Sequence, residues 1–141
     1  MDITAAAIAT LISCCVATTV TFLLNKKSEI KNLNEQLDDI IKISIQFPYL
    51  ESQSFTQTWN ANKDKDDERY LRYENYCTLL FNYLERLCKF YKFDKSKINK
   101  FMNVKDWVRL HKDCWLNPSI PCENSDGYCD EFKKLVESYI K

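Results

Sequence analysis

Residues Ile3 to Leu24 form a run of 22 without a single charged side chain, ITAAAIATLISCCVATTVTFLL, closed by Asn25, Lys26 and Lys27. As a helix rising about 1.5 Å per residue, the run reaches ~33 Å, enough for a hydrocarbon core of about 30 Å. This feature predicts a retained membrane anchor over residues 1–27. A cleaved signal peptide would carry basic residues ahead of a shorter apolar stretch. Here Met1 and Asp2 precede the run, and the basic pair follows it. Lys26, Lys27 and Lys31 then predict, by the positive-inside rule, a single pass of the inner membrane with the C-terminal part in the cytoplasm. The small residues Ala, Ser, Thr and Cys suit a helix that packs closely against other helices in lipid.

Residues 28–47 continue without a breaker as far as Pro48. Ile30, Leu33, Leu37 and Ile40 recur at heptad spacing, which predicts a juxtamembrane amphipathic or coiled-coil helix. Two uses stay open for this seam: self-association into a homo-oligomer, or packing on the chain's own domain.

Residues 48–141 then make at most one small domain. Gly127 is the only glycine of the chain, which argues against phosphate-binding turns and dinucleotide folds and fits few tight turns. Phe47, Tyr49, Leu50, Phe55 and Trp59 read as core-capping residues on short turns, and Asn60–Asp67 as a surface loop. From Asp67, Tyr73, Tyr76, Cys77, Leu80, Leu84, Leu87, Cys88 and Tyr91 recur at helical spacing. Leu79, Phe81, Tyr83 and Phe90 widen that face, so this helix is expected to be central. A further helix is expected from Lys97, capped by Asp94 or Ser96, bent near Asn103 and ended by Pro118 and Pro121. Its inward residues are Ile98, Phe101, Met102, Val104, Trp107, Val108, His111 and Trp115. A turn at Asn124–Gly127 leads to a last helix, Tyr128–Ile140. The expectation is an all-α chain: an anchor helix running into a juxtamembrane helix, then a bundle of three to four helices.

Charge is unevenly spread although the chain is neutral. From Arg86 to Lys112, nine basic residues face only Asp94 and Asp106, a local charge of +7. The block spans the end of one helix and the start of the next, the tip of a helical hairpin. Lys89, Lys92, Lys95, Lys97, Lys100 and Arg109 are its candidate ligand-binding residues. An anionic lipid surface, or an anionic ligand such as a nucleotide or nucleic acid, would complement them. A solvated face neutralised by the protein's own acidic residues is the plainer alternative.

Seven cysteines are present, two of them, Cys14 and Cys15, inside the apolar run. A cytoplasmic domain would keep the other five reduced. His111, the only histidine, stands three residues before Cys114, so the two share a helix face. With Cys122 and Cys129 they form a candidate Cys₃His zinc set, though without the short C-x₂₋₄-C spacing of a zinc knuckle. Otherwise no cofactor is expected. A Cys–His nucleophile pair lacks any sequence sign of an oxyanion hole or orienting group, so a non-enzymatic protein is expected. A secreted, disulfide-bonded domain released from a signal peptide stays open as an alternative.

Between Tyr73 and Tyr139 the chain resembles a type of small bacterial membrane protein of unassigned function. The block Phe81-Asn82-Tyr83-Leu84-Glu85 carries the resemblance, with Phe90-Tyr91-Lys92-Phe93-Asp94, Trp107-Val108 with His111, and Tyr128 with Phe132. It implies one N-terminal membrane helix before a cytoplasmic all-helical domain. It also implies an accessory or effector role, in some members in anti-phage or stress loci. A signalling or adaptor subunit with a membrane or cytoplasmic protein as partner is expected as well. No catalytic residue follows from it, and Cys114–Cys129 falls outside its pattern.

Overall fold

The computed structural model describes residues 3–63, 67–120 and 122–141, with the side chains of all of these but 3–11 and 125. Among the described residues the chain is helical and has no strand. It divides into two compact units, Met1–Glu35 and Gln36–Lys141.

Helix α1, Ile3–Gln46, runs 44 residues without a break through Asn25, Lys26 and Lys27. None of those residues is a strong breaker, and Lys31 pairs with Glu35 one turn on, at 3.5 Å. In the first unit every described side chain from Ile12 to Leu24 is exposed. Ile12, Val16, Phe22 and Leu24 retain 57–66% of their accessible surface. The expected anchor lies partly outside the residues with described side chains. Among the described residues, no helix is long and apolar enough to cross a membrane, so the expected span finds no support there.

The second unit takes up α1 at Gln36. Phe47 caps a 3-10 turn, Pro48–Glu51, because proline fits the first helical position, where its missing N–H is no loss. Two single turns follow, α2 (Gln53–Thr56) and α3 (Trp59–Asn62), so the loop expected from Asn60 begins inside a helical turn. Residues 64–66 of that loop lie outside the described residues.

Helix α4, Glu68–Phe90, is the centre of the unit. The Asp67 carboxylate caps it by accepting from the Arg69 amide at 2.9 Å. Tyr73, Tyr76, Cys77, Leu80, Leu84, Leu87 and Cys88 are buried along it as their spacing requires. Leu79 is instead 42% exposed, so the inward face is narrower than expected. At its C-terminus the Phe93 amide donates to the Cys88 carbonyl at 2.8 Å and the Lys92 amide to that of Lys89 at 3.0 Å. This is a Schellman cap, and it places Lys92 (φ 52°) and Phe93 (φ 57°) in the left-handed region usually left to glycine.

In place of one bent helix ending near Trp115 there are three short ones: α5 (Lys95–Phe101), α6 (Val104–Leu110) and α7 (Lys112–Leu116). The Asp94 carboxylate caps α5 by accepting from the Ser96 and Lys97 amides. Met102 turns extended, and the Asn103 side chain opens α6 by accepting from the Asp106 amide at 3.3 Å. Side-chain bonds of this kind compete with helix continuation, which is why the periodic pattern does not yield one rod. A last single turn, α8 (Glu123–Asp126), leads into α9 (Asp130–Ile140), two residues shorter than expected because Cys129 is its cap. Pro121 lies outside the described residues. The unit is thus one long helix ringed by short pieces, not a bundle of three to four.

Aromatic contacts knit the pieces to α4. Phe55 stacks on Tyr70 with ring centres 5.0 Å apart, Trp59 meets Tyr73 at 5.3 Å, and Phe81 meets Trp115 at 4.8 Å. Such pairs add about 0.5–1.5 kcal/mol each beyond their buried area.

Candidate functional site

The basic tip is where α4 ends, α5 begins and α6 follows. All six candidate side chains are exposed: Lys89, Lys92, Lys95, Lys97, Lys100 and Arg109. Several already have partners within the domain. Lys89 Nζ lies 2.9 Å from Glu85, and Lys97 Nζ lies 3.1 Å from Asp94. Arg109 Nε donates to the Tyr139 carbonyl at 3.0 Å, and Lys95 Nζ sits 5.6 Å from the centre of the Tyr139 ring. The hydrogen bond that Lys89 donates to Glu85 raises its ammonium above the ordinary range. The hydrogen bond from Lys97 lowers the Asp94 carboxyl below its own. Among the described residues, no ion pair or side-chain hydrogen bond engages Lys92 or Lys100. Those two are the cations of the six most available to a partner.

A second constellation lies in the core, between the 3-10 turn, α4 and the start of α7. His111 is fully buried. Its Nδ1 is 2.9 Å from the Tyr73 hydroxyl and 3.9 Å from Cys77 Sγ. Its Nε2 is 3.3 Å from Glu51 Oε1, an ion-pair distance, yet among the described residues Nε2 has no aligned hydrogen bond. The contact is therefore read as electrostatic attraction rather than a directed bond. The Tyr76 hydroxyl donates to the same Glu51 oxygen. With the Tyr73 hydroxyl as donor, Nδ1 accepts, which assigns the ring proton to Nε2. Burial pushes the Tyr73 and Tyr76 hydroxyls far up, so both stay protonated donors.

Cys77, His111 and Glu51 stand in the order of a thiol, an imidazole and an orienting carboxylate. The chemistry argues against nucleophilic use. Burial, then hydrogen bonding to Cys114, raises the Cys77 thiol well above its ordinary value. A reactive thiolate needs the opposite shift and an exposed, electropositive setting. Tyr73 also occupies the imidazole nitrogen that would take the proton.

The expected zinc residues fall in different places. His111 and Cys114 are buried, whereas Cys122 is exposed. Cys129 is half-buried, its amide donating to Glu85 at 2.8 Å. Among the described residues, no group of three His, Cys, Asp or Glu could hold a metal ion. Sequence reasoning missed Glu51, Tyr73 and Cys77 as the partners of His111. Tyr73 and Cys77, four apart on α4, were read as apolar filling, and Glu51 is 60 residues away from the histidine.

Of the residues expected to mediate self-association, Leu33 and Ile40 are buried, and Ile30 and Leu37 half-buried. Ile40, at 1% exposure, belongs to the core of the second unit and is not a surface available for pairing.

No family model, curated protein or solved structure matches the chain.

Proposed function

We propose that the chain is a membrane-anchored, non-enzymatic binding protein. Its N-terminal helix seats it in a bilayer, and its basic tip engages an anionic partner or the anionic lipid beside it. One observation carries this reading: from Ile12 to Leu24 every side chain of α1 is exposed and none is charged, Ile12, Val16, Val20, Phe22, Leu23 and Leu24 among them. A helix apolar on every face needs a buried or lipid environment, and water leaves that surface uncovered. The hydroxyls agree with a lipid setting. Thr18, Thr19 and Thr21 each donate to a carbonyl one turn back, at 2.7–2.9 Å, which hides their polar atoms within the helix.

The tip adds a second, weaker handle. Each cation near an anionic membrane surface contributes about 1 kcal/mol, so Lys92 and Lys100 together shift partitioning by roughly 30-fold. Membrane attachment places the C-terminal domain on the side of Lys26, Lys27 and Lys31, which is the cytoplasm under the positive-inside rule.

Flotation of the full chain with vesicles tests both parts. Uncharged vesicles should carry the protein through α1 alone. Vesicles with a third of their lipid anionic should retain more, by a margin that Lys92→Glu with Lys100→Glu removes. Equal retention by both vesicle types would take the basic tip out of the account. Failure to float with either would take out the anchor.

A further inference from the structure

Within the second unit, the part of α1 that enters at Gln36 runs antiparallel to α4. Arg86, near the C-terminus of α4, donates from Nη1 to Gln36 Oε1 at 3.1 Å. Arg72, near its N-terminus, places its guanidinium 4.2 Å from the centre of the Phe47 ring and donates to the Tyr49 hydroxyl at 3.1 Å. Beyond Arg86, α4 continues for four residues, about 6 Å, and ends at Phe90. The basic turn that follows therefore lies at the end of the unit where α1 comes in. Helix α5 stays there, with the Phe101 ring 6.0 Å from that of Tyr91. Glu85 and Asp94 are already taken by Lys89 and Lys97, whereas Lys92 and Lys100 are exposed. Tyr91 and Phe93, on either side of Lys92 in the chain, are half-buried.

The opposite end of the unit carries a different pair of lysines. Tyr73 stands 17 residues before Phe90 on α4, about 25 Å back along the axis. Lys112 follows His111, whose Nδ1 is 2.9 Å from the Tyr73 hydroxyl. Lys63 caps the end of α3, whose Trp59 ring meets that of Tyr73 at 5.3 Å. The basic block read from the sequence is thus divided between two ends, and Lys112 does not belong to the tip.

We propose that the basic turn is the membrane-facing end of the second unit, and that its partner is anionic lipid of the same bilayer that holds α1. This orientation rests on α1 being an anchor. The apolar run ends at Leu24, 12 residues of chain before Gln36, so the end through which α1 enters is held nearest the lipid. Headgroup phosphates meet the turn at the concentration of the membrane surface, an advantage that a dissolved anion lacks. Each cation at such a surface is worth about fivefold in partitioning, so Lys92 and Lys100 together contribute about 30-fold. The Tyr91 ring suits the headgroup level, where tyrosine gathers. The end with Lys63 and Lys112 then faces water.

The test is trace acetylation of lysines on the full chain in two kinds of vesicle, phosphatidylcholine alone and phosphatidylcholine with about one third phosphatidylglycerol. Vesicles are floated first, so that only vesicle-bound protein is mapped by mass spectrometry. Anionic lipid should slow acetylation of Lys92 and Lys100 at least about threefold relative to Lys63 and Lys112 on the same molecules. Slowing confined to Lys63 and Lys112, or equal at both ends, would overturn the proposal while the anchor stands. No slowing at either end would do the same. If a single-stranded oligonucleotide on uncharged vesicles protects Lys92 and Lys100 while anionic lipid does not, the partner is nucleic acid and the proposal falls. A chain that floats with neither vesicle overturns the anchor and this orientation together.

Discussion

The Nε2 of His111, wholly inside the protein, lies 3.3 Å from the Glu51 carboxylate on a 3-10 turn 60 residues earlier. This contact, with the Tyr76 hydroxyl on the same oxygen, fastens the segment after Pro48 to α4 and to the start of α7. Replacing Glu51 by Gln keeps the size and removes the charge facing the ring. We expect Glu51→Gln to lose about 1–3 kcal/mol of stability in urea unfolding. An unchanged midpoint would mean the carboxylate contributes no more than an amide there.

The same carboxylate sets an acid limit. Burial pushes the Glu51 carboxyl up, but the His111 ring beside it and the hydrogen bond from Tyr76 outweigh it and leave the group below its ordinary value of 4.5. Glu85 is lowered too, since the Cys129 amide and Lys89 outweigh its burial. A carboxyl lower in the folded than in the unfolded state stabilises fully above its unfolded value, and that contribution is lost as pH falls through the folded one. Urea midpoints should therefore be flat from pH 7 to about 5 and fall below about 4.5. In Glu51→Gln the fall should be shallower; an identical acid profile would remove Glu51 as a cause.

Lys92 stands at the left-handed position of the Schellman cap, φ 52°. Glycine meets that conformation without the clash of a β-carbon, against a larger entropy loss on folding. Lys92→Gly should be stabilising by about 0.5 kcal/mol while weakening attachment to anionic vesicles. A loss of stability would show that the lysine stem packs at the tip.

Trp59 is 1% exposed, and among the described residues its indole N–H has no hydrogen-bond partner. Its value is the packing of its ring against Tyr70 and Tyr73. Trp59→Ala should cost about 3–5 kcal/mol. Trp59→Phe, which also removes the unpaired donor, should cost less than half as much by thermal unfolding. Equal losses would show that the N–H is satisfied after all.

The helical class was legible because its causes are local. Apolar residues from Tyr73 to Cys88 recur at helical spacing, the chain has one glycine, and Asp94 sits where a cap is needed. The break of the expected long helix into α5, α6 and α7 was half legible. Asn103 marked the bend, but the interruption at His111 follows from burying that ring against Glu51, a contact no local window contains. For the same reason, pairing His111 with cysteines near in sequence chose Cys122 and Cys129 and passed over Cys77. The basic tip could be counted but not weighed. That Lys89 and Lys97 spend their charge on Glu85 and Asp94 depends on rotamers, and composition does not record them.

If α1 holds this protein in a bilayer, the full chain resists alkaline carbonate extraction of membranes from the cells that make it. Peripheral proteins are released at high pH, whereas a helix inserted in hydrocarbon stays with the lipid. The full chain should then stay in the membrane pellet, and a variant lacking residues 1–27 should appear in the supernatant. Recovery of the full chain in the supernatant, folded and intact, would contradict it.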